Sequence, residues 1–282
     1  MMNKLQAFGL IVSQAVRGEL TFPTSVNSAL QLQLALALAE PDCHIDHAIK
    51  LVLAEPLLAA RTVALANSAV YSRGEAAPVT SVRAAVMRMG YRNLYALVAA
   101  MVVRQFGSKI IDPVLRQKAT QLWEHTAHVA ALAHVIARRV THVDPDTALF
   151  AGIVHEVGGF YLLSRADEFP GLLDDDADHW MESAEEIISR EVMKKLLIPL
   201  AVSEAIEGLR DGLLSIPPDS LLDTLLLAKQ LSPVPSPLQA TFVEMLTPSD
   251  SVIDFIIDND TLQSILAESA EEVRSMSAAL LV

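Results

Sequence analysis

Two histidines and one glutamate stand in strongly apolar segments and are the residues best suited to chemistry in this chain. His125 shares one helical face with apolar residues that recur at steps of three and four, namely Leu122, Val129, Leu132 and Ile136. His155 and Glu156 are adjacent in a second apolar segment. A carboxylate among apolar side chains is costly without a partner. Glu156 must therefore face a metal, a cation, hydrogen-bond donors or water.

Imidazole and carboxylate groups together indicate a divalent metal site, whose chemistry would be the activation of water for hydrolysis. Two plainer interpretations stay open. A histidine on an apolar face is often a hydrogen-bonded core residue, and Glu156 can reach solvent at a gap between helices. The pair His155-Glu156 begins a zinc-protease pattern, but Gly159 stands where that pattern needs a second histidine. The sequence contains neither a phosphate-binding glycine loop nor a Gly-x-Ser-x-Gly motif.

Lys229 is the cation most relevant to these residues. It lies in line with Leu222, Leu225 and Leu226, so it also shares an apolar helical face. An ammonium at this place would oppose a divalent cation and could neutralise Glu156 directly. The alternative is that the lysine stem lies along the apolar face while its amino group reaches solvent.

The elements that position these residues all have helical periodicity, which predicts an all-α fold in two packed helical lobes. We expect a first lobe over residues 1–110 and a second over 111–282, with the boundary near 107–112. Residues 71–78 are predicted to form a loop, and 232–237 a stiff proline-rich break. The predicted helices cover 3–17, 26–39, 45–54, 56–67, 80–90, 93–106, 113–140, 145–163, 180–197, 199–210, 219–231, 237–246 and 260–280.

Composition narrows the classes of function. The formal net charge is −13, which opposes binding to nucleic acid or an anionic membrane. Apolar runs such as 94–103 are much shorter than the roughly 20 residues of a spanning helix, so no membrane segment is predicted. The N-terminus has no secretion signal and Cys43 is the single cysteine, which indicates a reducing cytoplasm.

Several motifs resemble those of the HDOD domain, an output domain of bacterial signalling related to the HD-superfamily phosphohydrolases. The resemblance covers about residues 20–210. Its second half has the paired helices of those hydrolases, from Trp123 through His125 and again over 151–158. The motifs of the first half are Phe22-Pro23, Glu55-Pro56, Leu58-Ala59-Ala60-Arg61, Leu65-Ala66-Asn67-Ser68-Ala69, Tyr71 and Met89-Gly90.

The resemblance implies a degenerate metal site. His125 matches the first histidine ligand and His155 the histidine of the HD pair, whereas Glu156 replaces the aspartate. No histidine follows His179, so the downstream histidines of catalytic relatives have no counterparts. The final aspartate ligand of the family falls at Lys229. We therefore expect a Glu156–Lys229 ion pair in place of the metal, with both histidines kept as hydrogen-bonding core residues.

The expected function is a non-catalytic bacterial signalling or regulatory scaffold, a pseudoenzyme without a cofactor. It would act through a signalling protein partner, with residues 71–78 and the helices around them as a contact surface. The alternative is a phosphohydrolase of a nucleotide or phosphoester that uses a divalent metal such as iron, manganese or zinc. A third interpretation is a sensor that binds an anion or nucleotide through Lys229. A homodimer is compatible with so apolar a chain.

Overall fold

The computed structural model describes residues 4–22, 45–54, 56–72, 77–173, 179–238 and 259–281. The regular elements in these ranges are helices, which confirms the all-α prediction. In the first part they are α1 (Lys4–Val16), α2 (Ile45–Leu53), α3 (Pro56–Ala66), α4 (Ala69–Ser72), α5 (Val82–Met89) and α6 (Tyr91–Phe106). Then come α7 (Pro113–Ile136) with a π turn (Ala137–Thr141), α8 (Pro145–Val154), α9 (Val157–Ala166), α10 (His179–Lys195), α11 (Leu200–Gly208), α12 (Leu221–Gln230), α13 (Asn259–Glu268) and α14 (Ala270–Leu281).

Local capping fixes where the helices of the site begin. The side chains of Asp112 and Asp144 accept backbone N–H bonds at the starts of α7 and α8, each just before a proline at the first helical position. Helix α12 begins with a capping box in which Ser220 and Asp223 bond reciprocally. These caps set the phase of the helices that carry the histidines and Lys229.

Three predicted elements differ from the structure. The predicted helix 145–163 is divided into α8 and α9, and the predicted helix 260–280 into α13 and α14. The predicted loop 71–78 begins within α4, where Tyr71 is half-buried against the core. The predicted helix 26–39 lies outside the described residues. The same is true of most of 237–246, whose first two residues form a turn.

The two predicted lobes share one core. Phe22, Phe106 and Tyr161 form a cluster of edge-to-face rings with centroids 5.3, 5.9 and 6.1 Å apart. Next to it, the Asp167 carboxylate accepts the backbone N–H groups of Ile111 and Asp112 at 2.6 and 3.2 Å. The boundary predicted near 107–112 is therefore tied to α9 and is not a free linker.

Helices α7 and α8 approach each other closely at a glycine. A Cβ on Gly152 would lie 2.5 Å from the Cα of Ala130, so only glycine fits.

The stretch Pro145–Ala166 is long and apolar enough to cross a membrane, but 78% of its most apolar window is buried inside the protein. It therefore forms a core element, and its Gly152 lies against Ala130 at the closest approach of the helices that carry His125 and His155.

Candidate functional site

A break between α8 and α9 brings His155 and Glu156 onto the same side. His155 ends α8, and Glu156 has φ −106° and ψ 19°, outside helical geometry. In a continuous helix these adjacent side chains would point about 100° apart. Here His155 Nε2 and Glu156 Oε1 are 3.8 Å apart. Gly152, Gly158 and Gly159 lie on either side of the break, and glycine is a poor helix former.

Backbone carbonyls fix the proton of each imidazole. His125 Nδ1 lies 2.6 Å from the Val234 carbonyl, and His155 Nδ1 lies 2.7 Å from the Gly152 carbonyl. A carbonyl only accepts, so both Nδ1 atoms carry the hydrogen and donate. Both Nε2 atoms are then lone-pair acceptors, and they face each other at 3.4 Å. This is the tautomer and second-shell pattern of metal-binding histidines.

Lys229 contributes the positive charge of the cluster. Its Nζ lies 3.6 Å from Glu156 Oε1. The Lys229 side chain is 22% exposed and that of Glu156 16% exposed, so water screens the pair only in part. All four residues singled out in the sequence are thus brought together, and Lys229 contacts Glu156 instead of reaching solvent alone.

The charge state of the cluster follows from burial and from Lys229. Burial lowers the pKa of His155 to about 3 and also lowers the pKa of His125, so both are neutral at pH 7. Burial alone would raise the pKa of Glu156, but the Lys229 ammonium lowers it below its ordinary value. The cluster therefore has one negative and one positive charge, with two neutral imidazoles beside them.

Residues 232–238, here called the strap, cover His125 from outside the two histidine helices. Ser232 Oγ donates to the Val234 carbonyl at 3.0 Å, and the Pro235 carbonyl accepts from Gln121 Nε2 at 3.3 Å. A Cβ on Gly159 would lie 2.5 Å from Leu238 Cδ1, so the glycine leaves room for the strap. Sequence reasoning treated this segment only as a break. Its prolines indicate an irregular segment, but they do not identify His125 as the residue that it contacts.

The donor set suits a divalent metal in number and orientation but not in charge. One atom each from His125, His155 and Glu156 lies within 4.8 Å of the others, and three protein ligands are the number in many catalytic zinc sites. However, the carboxylate that would neutralise the metal already faces the Lys229 ammonium. A dication at this point would be repelled by that ammonium. With Lys229 in place, these residues do not fit a bound metal.

Comparison with known families decides the assignment. The family model of the HDOD domain matches residues 22–195, which is more than half of the chain. The chain belongs to the HDOD family. A search of curated proteins finds no match. The HDOD match contains the histidine pair but ends before Lys229, the strap and α14.

Solved structures have the same fold as this HDOD chain. One is a proposed metal-dependent phosphohydrolase from Shewanella amazonensis SB2B, at 20% identity and TM-score 0.70, which covers 99% of this chain and 100% of its own. An HDOD domain protein of unknown function from Geobacter sulfurreducens has 22% identity and TM-score 0.62, with 97% of each chain covered. A proposed signal transduction protein from Marinobacter aquaeolei VT8 has 18% identity and TM-score 0.59, with 99% of this chain and 67% of its own covered.

Proposed function

We propose that this HDOD chain is a non-catalytic regulatory scaffold of the bacterial cytoplasm, in which a lysine replaces the metal of its hydrolase relatives. The observation that carries the proposal is the 3.6 Å contact between Lys229 Nζ and Glu156 Oε1. The ammonium supplies one positive charge to the carboxylate, but it has no empty orbital that could activate water. The cluster then stabilises the fold and does no chemistry.

The strap supports the same proposal. Its Val234 carbonyl bonds directly to His125, and its Leu238 side chain packs against Gly159. A phosphoester would need an open approach to the point where the two Nε2 atoms meet. Both histidines are buried, at 2% and 6% exposure, and this burial opposes such an approach.

Metal analysis of the purified protein tests the proposal, with Lys229→Asp as the matched variant. That substitution returns the carboxylate that the HDOD resemblance places at this position. We expect no stoichiometric iron, manganese or zinc in the unmodified chain. We expect the variant to take up Co²⁺ with an absorption spectrum of a histidine-ligated site. One equivalent of tightly bound metal in the unmodified chain, lost in His125→Ala, would overturn the proposal.

A metal-dependent phosphohydrolase is the second candidate, and the histidine tautomers favour it. Both Nε2 lone pairs point to one place, and His125, His155 and Glu156 would be the residues to hold the ion. A divalent cation held there would supply Lewis-acid chemistry. Turnover of bis-p-nitrophenyl phosphate with Mn²⁺, abolished in His155→Ala, would establish this activity. Absence of turnover in both the unmodified chain and His155→Ala would exclude this activity.

The partner of the scaffold is proposed to be a signalling protein, and a small anionic ligand is the competing idea. Thermal shifts with a set of nucleotides, repeated on Lys229→Ala, separate the two because a ligand that binds the native state raises Tm. A shift that depends on Lys229 would identify a nucleotide sensor. If no nucleotide changes Tm, a signalling protein remains the proposed class of partner.

A further inference from the structure

The C-terminal helix α14 lies in a groove formed by α3, α4 and α7, so it contacts both parts of the fold. Four residues at intervals of four face this groove: Glu268, which ends α13, and then Glu272, Met276 and Leu280 of α14. Met276 and Leu280 are 0% and 1% exposed, and the partly buried Val273 and Leu281 of α14 also pack against the core. The other buried positions of the helix are small, such as Ala279 and Ser277.

Ion pairs to arginines hold the two acidic residues of this set in place. Glu272 pairs with Arg138, and Glu268 lies 3.6 Å from Arg139. Both arginines belong to the π turn that follows α7. The groove therefore contacts two acidic residues, one on each side of the α13–α14 junction, followed by two large apolar residues of α14.

The polar match between α14 and its groove is incomplete. Ser269 Oγ is fully buried without a hydrogen-bond partner among the described residues, and so are Ser68 Oγ and His134 Nδ1 on the groove side. His134 shares the face of Arg138, one turn away. Ser277 Oγ bonds only to carbonyls of its own helix. Across the interface Ala69 N–H donates to Ser275 Oγ at 2.9 Å. Unpartnered buried polar groups weaken an interface.

We propose that this groove is the docking site for a partner and that α14 is its exchangeable intramolecular occupant. The partner is an amphipathic helix with the pattern of residues 268–280, which is two acidic residues and then two large apolar ones at four-residue intervals. A helix whose acidic end is held by part-exposed ion pairs, and whose contact surface leaves buried hydroxyls without partners, is suited to displacement. This inference rests on the proposed scaffold function, because it names the kind of partner that the scaffold would bind.

A peptide in trans tests the exchange on the full-length chain. The probe is a fluorescent peptide with the sequence of residues 266–282, and the variant Met276→Asp/Leu280→Asp releases the native α14 without changing the groove. We expect the variant to bind the peptide at least about tenfold more tightly than the unmodified chain, because the tethered helix competes. A peptide with Glu268→Arg and Glu272→Arg should lose this binding. Equal affinity for both peptides would overturn the proposal.

Hydrogen exchange of the unmodified chain gives an answer even if the variant does not fold. We expect the α14 amides to exchange through a local opening while the α7 amides remain protected. Exchange of α14 only together with α7 would show that the helix is a permanent part of the core, and would overturn the inference. Metal content and phosphoesterase activity do not enter these readouts. A failed exchange test is therefore distinct from a failed scaffold function.

Discussion

Removing the Lys229 ammonium is the most informative perturbation of the site. At the observed 3.6 Å separation and an effective dielectric constant of about 20, the attraction to Glu156 is about 4–5 kcal/mol before desolvation is subtracted. Both side chains are largely buried, so Lys229→Met leaves a carboxylate with little solvent. We expect the free energy of unfolding to fall by about 2–4 kcal/mol, near the range for breaking buried ion pairs.

The assay is urea denaturation of a double-mutant cycle formed by Lys229→Met, Glu156→Gln and the double variant. The double variant should recover much of the loss, with a coupling energy of about 1–3 kcal/mol. The cycle also has a pH signature. Without Lys229, burial raises the folded-state pKa of Glu156 above its unfolded value. The loss in Lys229→Met is then present at pH 7 and disappears as the pH falls through that raised pKa.

A result that refutes the reasoning is easily recognised. If Lys229→Met unfolds within about 0.5 kcal/mol of the unmodified chain and the two single effects are additive, the contact contributes nothing to stability. The lysine would then be a solvated side chain that happens to lie near Glu156. A Lys229→Arg variant is the control that keeps the positive charge. It also keeps most of the apolar length of the side chain.

Two further substitutions test the helix packing and the helix capping around the site. Gly152→Ala places a methyl group against the Ala130 backbone and should lower the free energy of unfolding by about 1–3 kcal/mol. The control is Gly9→Ala in α1, an exposed position where a Cβ meets nothing within 4 Å, and it should raise the free energy of unfolding by about 0.5–1 kcal/mol. Equal Tm values for the two variants would contradict the close approach of α7 and α8. Burial would raise the pKa of Asp223, but hydrogen bonds from the Ser215 backbone N–H and from Ser220 lower it. Asp223→Asn should therefore cost about 1–3 kcal/mol at pH 7. The difference should shrink as acid protonates the native carboxyl, and a loss independent of pH would show that the charge is unimportant.

The sequence predicted the helices of the site well because their signals are local. Aspartate before proline at the starts of α7 and α8 is a capping pattern that needs no tertiary information. Apolar periodicity likewise predicted that His125 is buried. The HDOD resemblance then supplied the expectation that Lys229 stands near Glu156.

The features that sequence reasoning missed depend on contacts between distant segments. The helix break at Glu156 is invisible in an apolar pattern that continues through it, and a continuous helix would have placed the side chains at 155 and 156 about 100° apart. The role of the strap depends on a bond between Val234 and His125, which are 109 residues apart. No periodicity encodes such a pair, since backbone carbonyls carry no sequence signal.

The contact between Gly152 and Ala130 has a mechanical consequence for the histidine pair. Because the backbones of α7 and α8 touch there, the two helices cannot slide or separate without losing that fit. His125 and His155 thus stand on one rigid wall of the cluster. The opposite wall is the end of α12 with the strap, which meets the first through Lys229 and Val234. A motion that opens this site is therefore a displacement of α12 and the strap relative to the two imidazoles.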